Sequence, residues 1–190
     1  PVAIRAAALS GLIKAVPSQA SERIEEGLAS NEARLQQAVI TAACLALGRD
    51  ASSVLARLLP KVATPAKIQI LAVLDASAEP AAIDAAKDAD ETVRVAALET
   101  LGRIGTRASV PVLLESAGNE SKAVKAEAAT ALARISGSGA ATAILAAAAQ
   151  GSSGTRAAAI AALAARNEEL ARPALANYAG ESDDVVRKAA

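Results

Sequence analysis

Very few residues of this chain belong to types that carry out chemistry, and those few stand apart in the sequence. Histidine is absent, so there is no histidine base, no histidine metal ligand and no histidine-activated nucleophile. Cys44 is the single cysteine and lies in the apolar run TAACLALG, which predicts a small buried thiol and excludes a disulfide within the chain. Tyr178, the single aromatic residue, is expected to be a partly buried packing residue rather than a catalytic phenol. The sequence therefore contains no catalytic constellation, and it predicts no cofactor and no bound metal.

Two glycine-rich stretches invite comparison with loops that hold phosphate groups. They are GSG at 137–139 and GSSG at 151–154. Neither follows a predicted strand, and neither ends in the Lys-Ser or Lys-Thr pair of a P-loop. Both are predicted to be turns between helices.

The charge and the composition exclude several classes of partner. The chain has 20 basic and 20 acidic residues, so no field over the whole molecule favours DNA, RNA or an anionic membrane. A single aromatic residue offers almost nothing for single-stranded nucleic acid to stack on. The longest fully apolar run, at 143–149, is far shorter than the roughly 20 residues of a membrane helix. We predict a soluble protein with no nucleic-acid partner and no membrane insertion, in either the cytoplasm or the periplasm.

The elements that would position any site recur along the chain with a 31-residue period. The pair Val93-Arg94 recurs at this spacing towards the carboxyl end of the chain. A contraction of four residues precedes this series, and two further steps of the same period continue it towards the amino end. The second residue of each pair belongs to what we call the basic column: Arg5, Gln36, Lys67, Arg94, Lys125, Arg156 and Arg187.

Further columns keep the same step and predict two helices in each repeat. Helix A follows a proline column, because proline is tolerated in the first turn of a helix. Helix B follows a column of residues that favour the N-cap position of a helix. The proline column is Pro80, Pro111 and Pro173, and the N-cap column is Asp90, Ser121, Ser152 and Asp183.

The apolar residues of each repeat form stripes at helical spacing, and no segment alternates as a strand would. One hairpin cannot bury its own stripe, so neighbouring hairpins must stack. Alanine exceeds a quarter of the chain and offers little apolar area, so larger residues must supply most of the burial. The predicted core residues are Leu98, Leu101, Ile104, Leu113, Leu114, Leu132, Ile135, Ile144, Leu145, Ile160 and Leu163.

The text VRVAALETLGRIGTRASVPVLLESAG at 93–118 resembles the short bacterial HEAT repeat, a hairpin of about 31 residues that also occurs in phycobilisome lyase subunits. The resemblance is strongest over 80–190 and weak over 17–65. It implies an all-α fold, a right-handed α-solenoid of about six helical hairpins, with residues 1–190 forming a single array. Both ends fall inside helical patterns, so we expect incomplete repeats there and a fragment of a longer chain.

The resemblance also implies that helix B lines a concave face, where solenoids usually bind their partners. Most positions predicted to face outward there are small and uncharged, and ordinary solvent-facing helix is the alternative at each of them. The candidate protein contacts on this face are Lys14, Thr41, Glu99, Arg103, Thr130 and Arg134.

The basic column has two interpretations. It could bind an acidic partner, or each residue could pair with acidic side chains or carbonyls of an adjacent turn. We favour the second, because a chain without net charge lacks the surplus that a polyanion would select.

The function predicted from these patterns is a non-catalytic scaffold for interaction with another protein or with another domain of the same chain. The alternatives are an accessory subunit of an enzyme, similar to a bilin lyase, and a structural spacer between domains. The hydroxylase type of HEAT protein needs His-Glu iron ligands, which this chain lacks. The DNA-glycosylase type relies on aromatic and basic residues along the concave face, and these are missing here as well. A single aromatic residue also leaves little to hold a tetrapyrrole.

Overall fold

The computed structural model describes residues 2–16, 19–166, 176, 178–180 and 182–189. These residues form α-helices joined by turns and short 3-10 segments, and none of them lies in a strand. The chain divides into two compact units, residues 1–82 and 83–190.

Unit 1 contains five helices that pack as predicted for stacked hairpins. The B helices α1, α3 and α5 contact one another in chain order, α2 packs on α1 and α3, and α4 packs on α3 and α5. A short helix, α6 (Glu79–Ala85), spans the boundary between the units. The helices of unit 1 are α1 (Val2–Ala15), α2 (Ala20–Leu28), α3 (Ala33–Leu47), α4 (Ala51–Leu58) and α5 (Thr64–Val73).

Unit 2 repeats this arrangement. The B helices α7, α9, α11 and α12 contact one another in chain order, α8 packs on α9 and α11, and α10 packs on α11. The helices are α7 (Glu91–Ile104), α8 (Val110–Ala117), α9 (Lys122–Arg134), α10 (Ala140–Gln150), α11 (Ser153–Arg166) and α12 (Asp184–Ala189).

The 31-residue period is confirmed by where the B helices begin. In unit 1 they begin at Val2, Ala33 and Thr64, and each start follows the one before by one full period. In unit 2 the same step separates the starts of α7, α9, α11 and α12. The predicted contraction falls between the starts of α5 and α7, where α6 has only 7 residues. The right-handed turn, the total of six hairpins and the single array over 1–190 remain predictions.

The turn before each B helix shows why the helices begin where they do. The side chains of all four predicted N-cap residues accept hydrogen bonds from backbone N–H groups of the first turn, as Asp90 does from Thr92 at 2.9 Å. A second column, not predicted from the sequence, lies two residues earlier. Its side chains accept from the backbone N–H of the residue at the N-cap position and so fix the entry of the chain. It consists of Ser30, Asp88 and Asn119.

The proline column is confirmed where it can be checked. Pro80 and Pro111 occupy the second position of α6 and α8, in the first helical turn. Pro173 lies outside the described residues.

The predicted core is confirmed at most of its positions. Ile104 and Leu145 are only half-buried. Each fully buried leucine or isoleucine contributes roughly 1.5–3 kcal/mol of burial free energy. The predicted core residues that are buried in unit 2 are Leu98, Leu101, Leu113, Leu114, Leu132, Ile135, Ile144, Ile160 and Leu163.

Cys44 differs from its prediction, because its side chain is half-buried instead of buried. The neighbouring B helix α5 ends at Val73, which is itself 38% exposed, so the last turn of α3 is incompletely covered. Leu45, the next residue, is 70% exposed. The partial burial still raises the pKa of the Cys44 thiol.

One described segment, Ala33–Lys61, is long and apolar enough to cross a membrane by length and composition. It is not one uninterrupted α-helix, since a 3-10 turn at Gly48–Asp50 separates α3 from α4. The 15 residues of α3 fall short of the roughly 20 that span a bilayer. Of its most apolar window, 44% is buried against other parts of the fold.

Candidate interaction surface

Four of the predicted contact residues lie on adjacent B helices of unit 2. Glu99 and Arg103 are on α7, Thr130 and Arg134 are on α9, and all four side chains are exposed. Each pair is separated by four residues, which places both members on one side of their helix. The helices α7 and α9 belong to consecutive repeats and pack together along their length, so the two pairs lie on neighbouring helices.

The other two predicted contact residues lie in unit 1. Lys14 is exposed in the last turn of α1, and Thr41 is exposed on α3. The Thr41 hydroxyl donates to the carbonyl of Gln37 at 2.9 Å. Thr130 in unit 2 does the same towards Ala126 at 3.0 Å, so both threonines satisfy their hydroxyl groups within their own helix.

Glu127 joins this surface and was missed by the sequence prediction. It lies on α9, half-buried, and its pKa is raised by desolvation and by the negative charge of Glu99, while Arg134 lowers it. The charges of α7 and α9 therefore act on one another. The sequence did contain one indication of Glu127. It is a charged residue at a position where the neighbouring repeats have alanine, Ala96 and Ala158. We call the group the charged cluster: Glu99, Arg103, Glu127 and Arg134.

Replacement of Glu127 by glutamine is expected to stabilise the protein at neutral pH. The raised pKa of Glu127 means that the fold disfavours its ionised form, so the destabilising effect is present when the carboxylate is charged and is relieved as pH falls through that pKa. The gain at neutral pH should be at most about 0.5 kcal/mol, as for most surface substitutions. Denaturant melts of both proteins at neutral pH and at about pH 4 test this, since the difference should shrink in acid.

An equal difference at both pH values would contradict this assignment. The control is Glu115→Gln, which removes an exposed carboxylate of unit 2 that lies outside the charged cluster.

On the next B helix, α11, the exposed side chains of this surface are small and apolar instead of charged. Its exposed residues there are alanines: Ala161, Ala164 and Ala165. The B-helix surface of unit 2 therefore combines charged side chains on α7 and α9 with small apolar side chains on α11. Protein interfaces commonly combine these two kinds of surface, a polar rim and an apolar core.

Three members of the basic column donate hydrogen bonds to carbonyls of an adjacent turn, as the second interpretation predicted. They donate to carbonyls in the turn at the end of the preceding helix A: Arg94 donates to Asp88 at 2.8 Å and Arg156 donates to Ala148 at 3.0 Å. Gln36 is buried and donates to Leu28 at 3.3 Å. These bonds satisfy carbonyls that a helix end leaves without an intrahelical partner. The guanidinium of Arg156 also lies 5.8 Å from the ring centre of Tyr178, which is half-buried as predicted.

The two ends of the basic column form ion pairs. Arg5 pairs with Glu32 at 2.9 Å, joining α1 to the start of α3, and Arg187 pairs with Asp184 within α12. Both pairs are exposed and contribute about 0–1 kcal/mol each.

Arg166 is a further link between repeats that the sequence prediction missed. It lies at the end of α11 and donates to the carbonyls of Leu132, at 3.2 Å, and Ile135 at the end of α9. The sequence indicates that Arg166 is unusual, because the two preceding repeats have isoleucine at the equivalent position, Ile104 and Ile135.

The comparison with protein families identifies the class of this fold. A family model described as HEAT repeats matches residues 66–123, 79–153 and 118–190. The chain belongs to the HEAT-repeat family, and the predicted fold class, an all-α helical solenoid, is confirmed. HEAT repeats generally serve as scaffolds for protein interaction and are typically non-catalytic, and helical repeat folds of this kind are typically soluble. No curated protein matches the sequence.

Among the side chains that the structure describes, no three of the histidine, cysteine, aspartate or glutamate type are grouped so as to hold a metal ion. The acidic residues of the charged cluster are interleaved with arginines, which makes the cluster suited to ion pairs with a partner instead of a cation.

Proposed function

We propose that this chain is a non-catalytic scaffold that binds another protein, or another domain of its own chain, through the B-helix surface of unit 2. The observation that carries the proposal is the charged cluster, in which two acidic and two basic side chains occupy adjacent helices and the charges of Glu99 and Arg134 act on Glu127. A mixed cluster of this kind selects a partner by complementary charges, and it disfavours a polyanion.

The neighbouring alanines of α11 support the proposal. Their short side chains leave the helix backbone accessible to close approach, and they lose no side-chain entropy when a partner covers them. The charged cluster would fix the register of the partner, while the alanine surface of α11 would be covered by its apolar residues.

The experiment begins by identifying the partner through site-specific photo-crosslinking. A photoreactive amino acid placed at Thr130 should capture a partner that the same group at Ser53 does not, since Ser53 is exposed on α4 of unit 1. The captured protein is then purified and its affinity for the full chain is measured.

Removal of two arginines from the charged cluster should then weaken binding. We expect Arg103→Ala combined with Arg134→Ala to lower the affinity about tenfold or more, since arginine is one of the residues enriched among those that cost more than about 1 kcal/mol when truncated at an interface. The matched control is Arg49→Ala with Arg57→Ala, which removes two exposed arginines from unit 1. An affinity unchanged by the first double variant, or lowered equally by both, would refute the proposal, as would crosslinking at Ser53 alone.

A further inference from the structure

A groove of about 590 Å³ lies between α8 and α10, on the side of unit 2 formed by the A helices. Its apolar lining includes Val110, Pro111 and Leu114 from α8 and Ala143, Ala146 and Ala147 from α10. The B helices are not part of this lining, except for Thr155 near the start of α11. The groove is therefore a separate feature from the charged cluster.

The alanine content of α10 explains why the groove exists. Both A helices pack closely on α11, but α8 and α10 contact each other at few positions. The α10 residues that line the groove are Thr142 and three alanines, whose short side chains leave open space beside α8, over the buried residues Val110 and Leu114. Well-packed protein interiors leave few voids of this size, so an unfilled apolar groove is a candidate for occupation by a partner.

Opposite charges mark the two ends of the groove. Arg107 lies just before the first turn of α8, and Glu115 lies near the end of the same helix. Both side chains are exposed, and neither forms an ion pair with any residue that the structure describes. They are eight positions apart, across a 3-10 turn at Arg107–Ser109 and most of α8, which corresponds to roughly 13 Å along the helix axis.

We propose that this groove binds an amphipathic helix of a protein partner. Apolar side chains of that helix, at i, i+3 or i+4, and i+7, would pack between α8 and α10. An acidic residue at one end would lie against Arg107, and a basic residue about eight positions away would lie against Glu115. The inference rests on the proposed scaffold function, but it assigns a second surface that does not include the charged cluster.

The spacing of the two charges favours a helix over a small molecule. A small-molecule site usually brings a few polar groups together around an enclosed ligand. In this groove the two charges stand about two helical turns apart, and the walls between them include the exposed residues Pro111, Thr142 and Ala146.

The test uses two synthetic helical peptides, each fluorescently labelled, and the full-length chain. Both carry leucines at i, i+4 and i+7; the first has glutamate and lysine eight positions apart, and the second has lysine at both positions. The first peptide should bind about two- to fivefold more tightly, the effect of one exposed ion pair. Arg107→Glu should reverse this preference, because it exchanges attraction and repulsion at one end of the groove.

A matched pair of variants tests whether the peptide occupies the groove itself. Ala146→Phe fills the groove from an exposed position of α10 and should weaken binding of both peptides at least tenfold. Ala7→Phe makes the same change at an exposed position of α1 in unit 1, outside both proposed surfaces, and should leave peptide binding unchanged. Circular dichroism of both variants confirms that the helices are retained.

The outcomes separate this inference from the proposed function. If neither peptide binds saturably, or if Ala146→Phe and Ala7→Phe weaken binding equally, the groove is not a helix-binding site. Binding of an apolar dye that Ala146→Phe abolishes, with no peptide binding, would assign the groove to a small molecule and overturn the inference. If Ala146→Phe loses peptide binding but still binds the partner of the charged cluster, the groove is supported as a separate site. This conclusion does not depend on whether the double variant of Arg103 and Arg134 loses affinity for that partner.

Discussion

Truncation of Leu101 to alanine is expected to lower the free energy of unfolding by about 2–5 kcal/mol. Leu101 is fully buried on α7, and α7 stacks on α9 along most of its length. The substitution removes three carbon atoms from this contact and leaves a cavity that the surrounding helices can only partly close. In a repeat protein the stability is largely a sum of contacts between neighbours, so the loss falls on the α7–α9 interface. Denaturant melts followed by circular dichroism measure the change.

The matched control is the same substitution at Leu45. Its side chain is 70% exposed on α3, and Leu45→Ala should change the free energy of unfolding by no more than about 0.5 kcal/mol. If Leu101→Ala costs less than about 1 kcal/mol, the column of apolar residues to which Leu101 belongs does not form the core.

The sequence was sufficient to predict the repeat and the elements within it. The N-cap column located the starts of the B helices of unit 2, and the basic column carried the same period into α1, α3 and α5 of unit 1. The N-cap residues Asp90 and Ser121 could be predicted because capping is a local interaction within one turn. The buried column that contains Leu101 and Leu132 could be predicted because helical spacing alone defines one face.

Features that depend on how neighbouring helices end and pack could not be predicted. Cys44 is half-buried because α5 ends at Val73, and helix ends are the least certain part of a sequence prediction. Glu127 joined the candidate surface only once α7 and α9 were placed side by side, since burial raises its pKa and Glu99 from the other helix raises it further. The groove between α8 and α10 exists because short alanine side chains leave space between the two helices. A pattern of apolar positions does not reveal such a space.

The second large effect is expected at Gly102, where Gly102→Leu should destabilise the protein by about 1–3 kcal/mol through overpacking. Gly102 is buried in α7, and a Cβ atom there would lie 2.9 Å from the Cα of Ala131 on α9. The nearest atom belongs to the backbone, so relief requires α7 and α9 to move apart. That movement would disturb the same stacked interface that buries Leu101. Denaturant melts again provide the measurement.

The smaller change Gly102→Ala separates the steric effect from helix propensity. Alanine is favoured over glycine inside a helix by about 1 kcal/mol, so without a clash this variant would be more stable. Gly11 provides the comparison, because it lies within α1 and a Cβ atom there would have nothing within 4 Å. Gly11→Ala should therefore stabilise by about 0.5–1 kcal/mol, whereas Gly102→Ala should gain nothing or lose stability. Equal stabilisation by both substitutions would show that α7 and α9 do not approach as closely as their stacking requires.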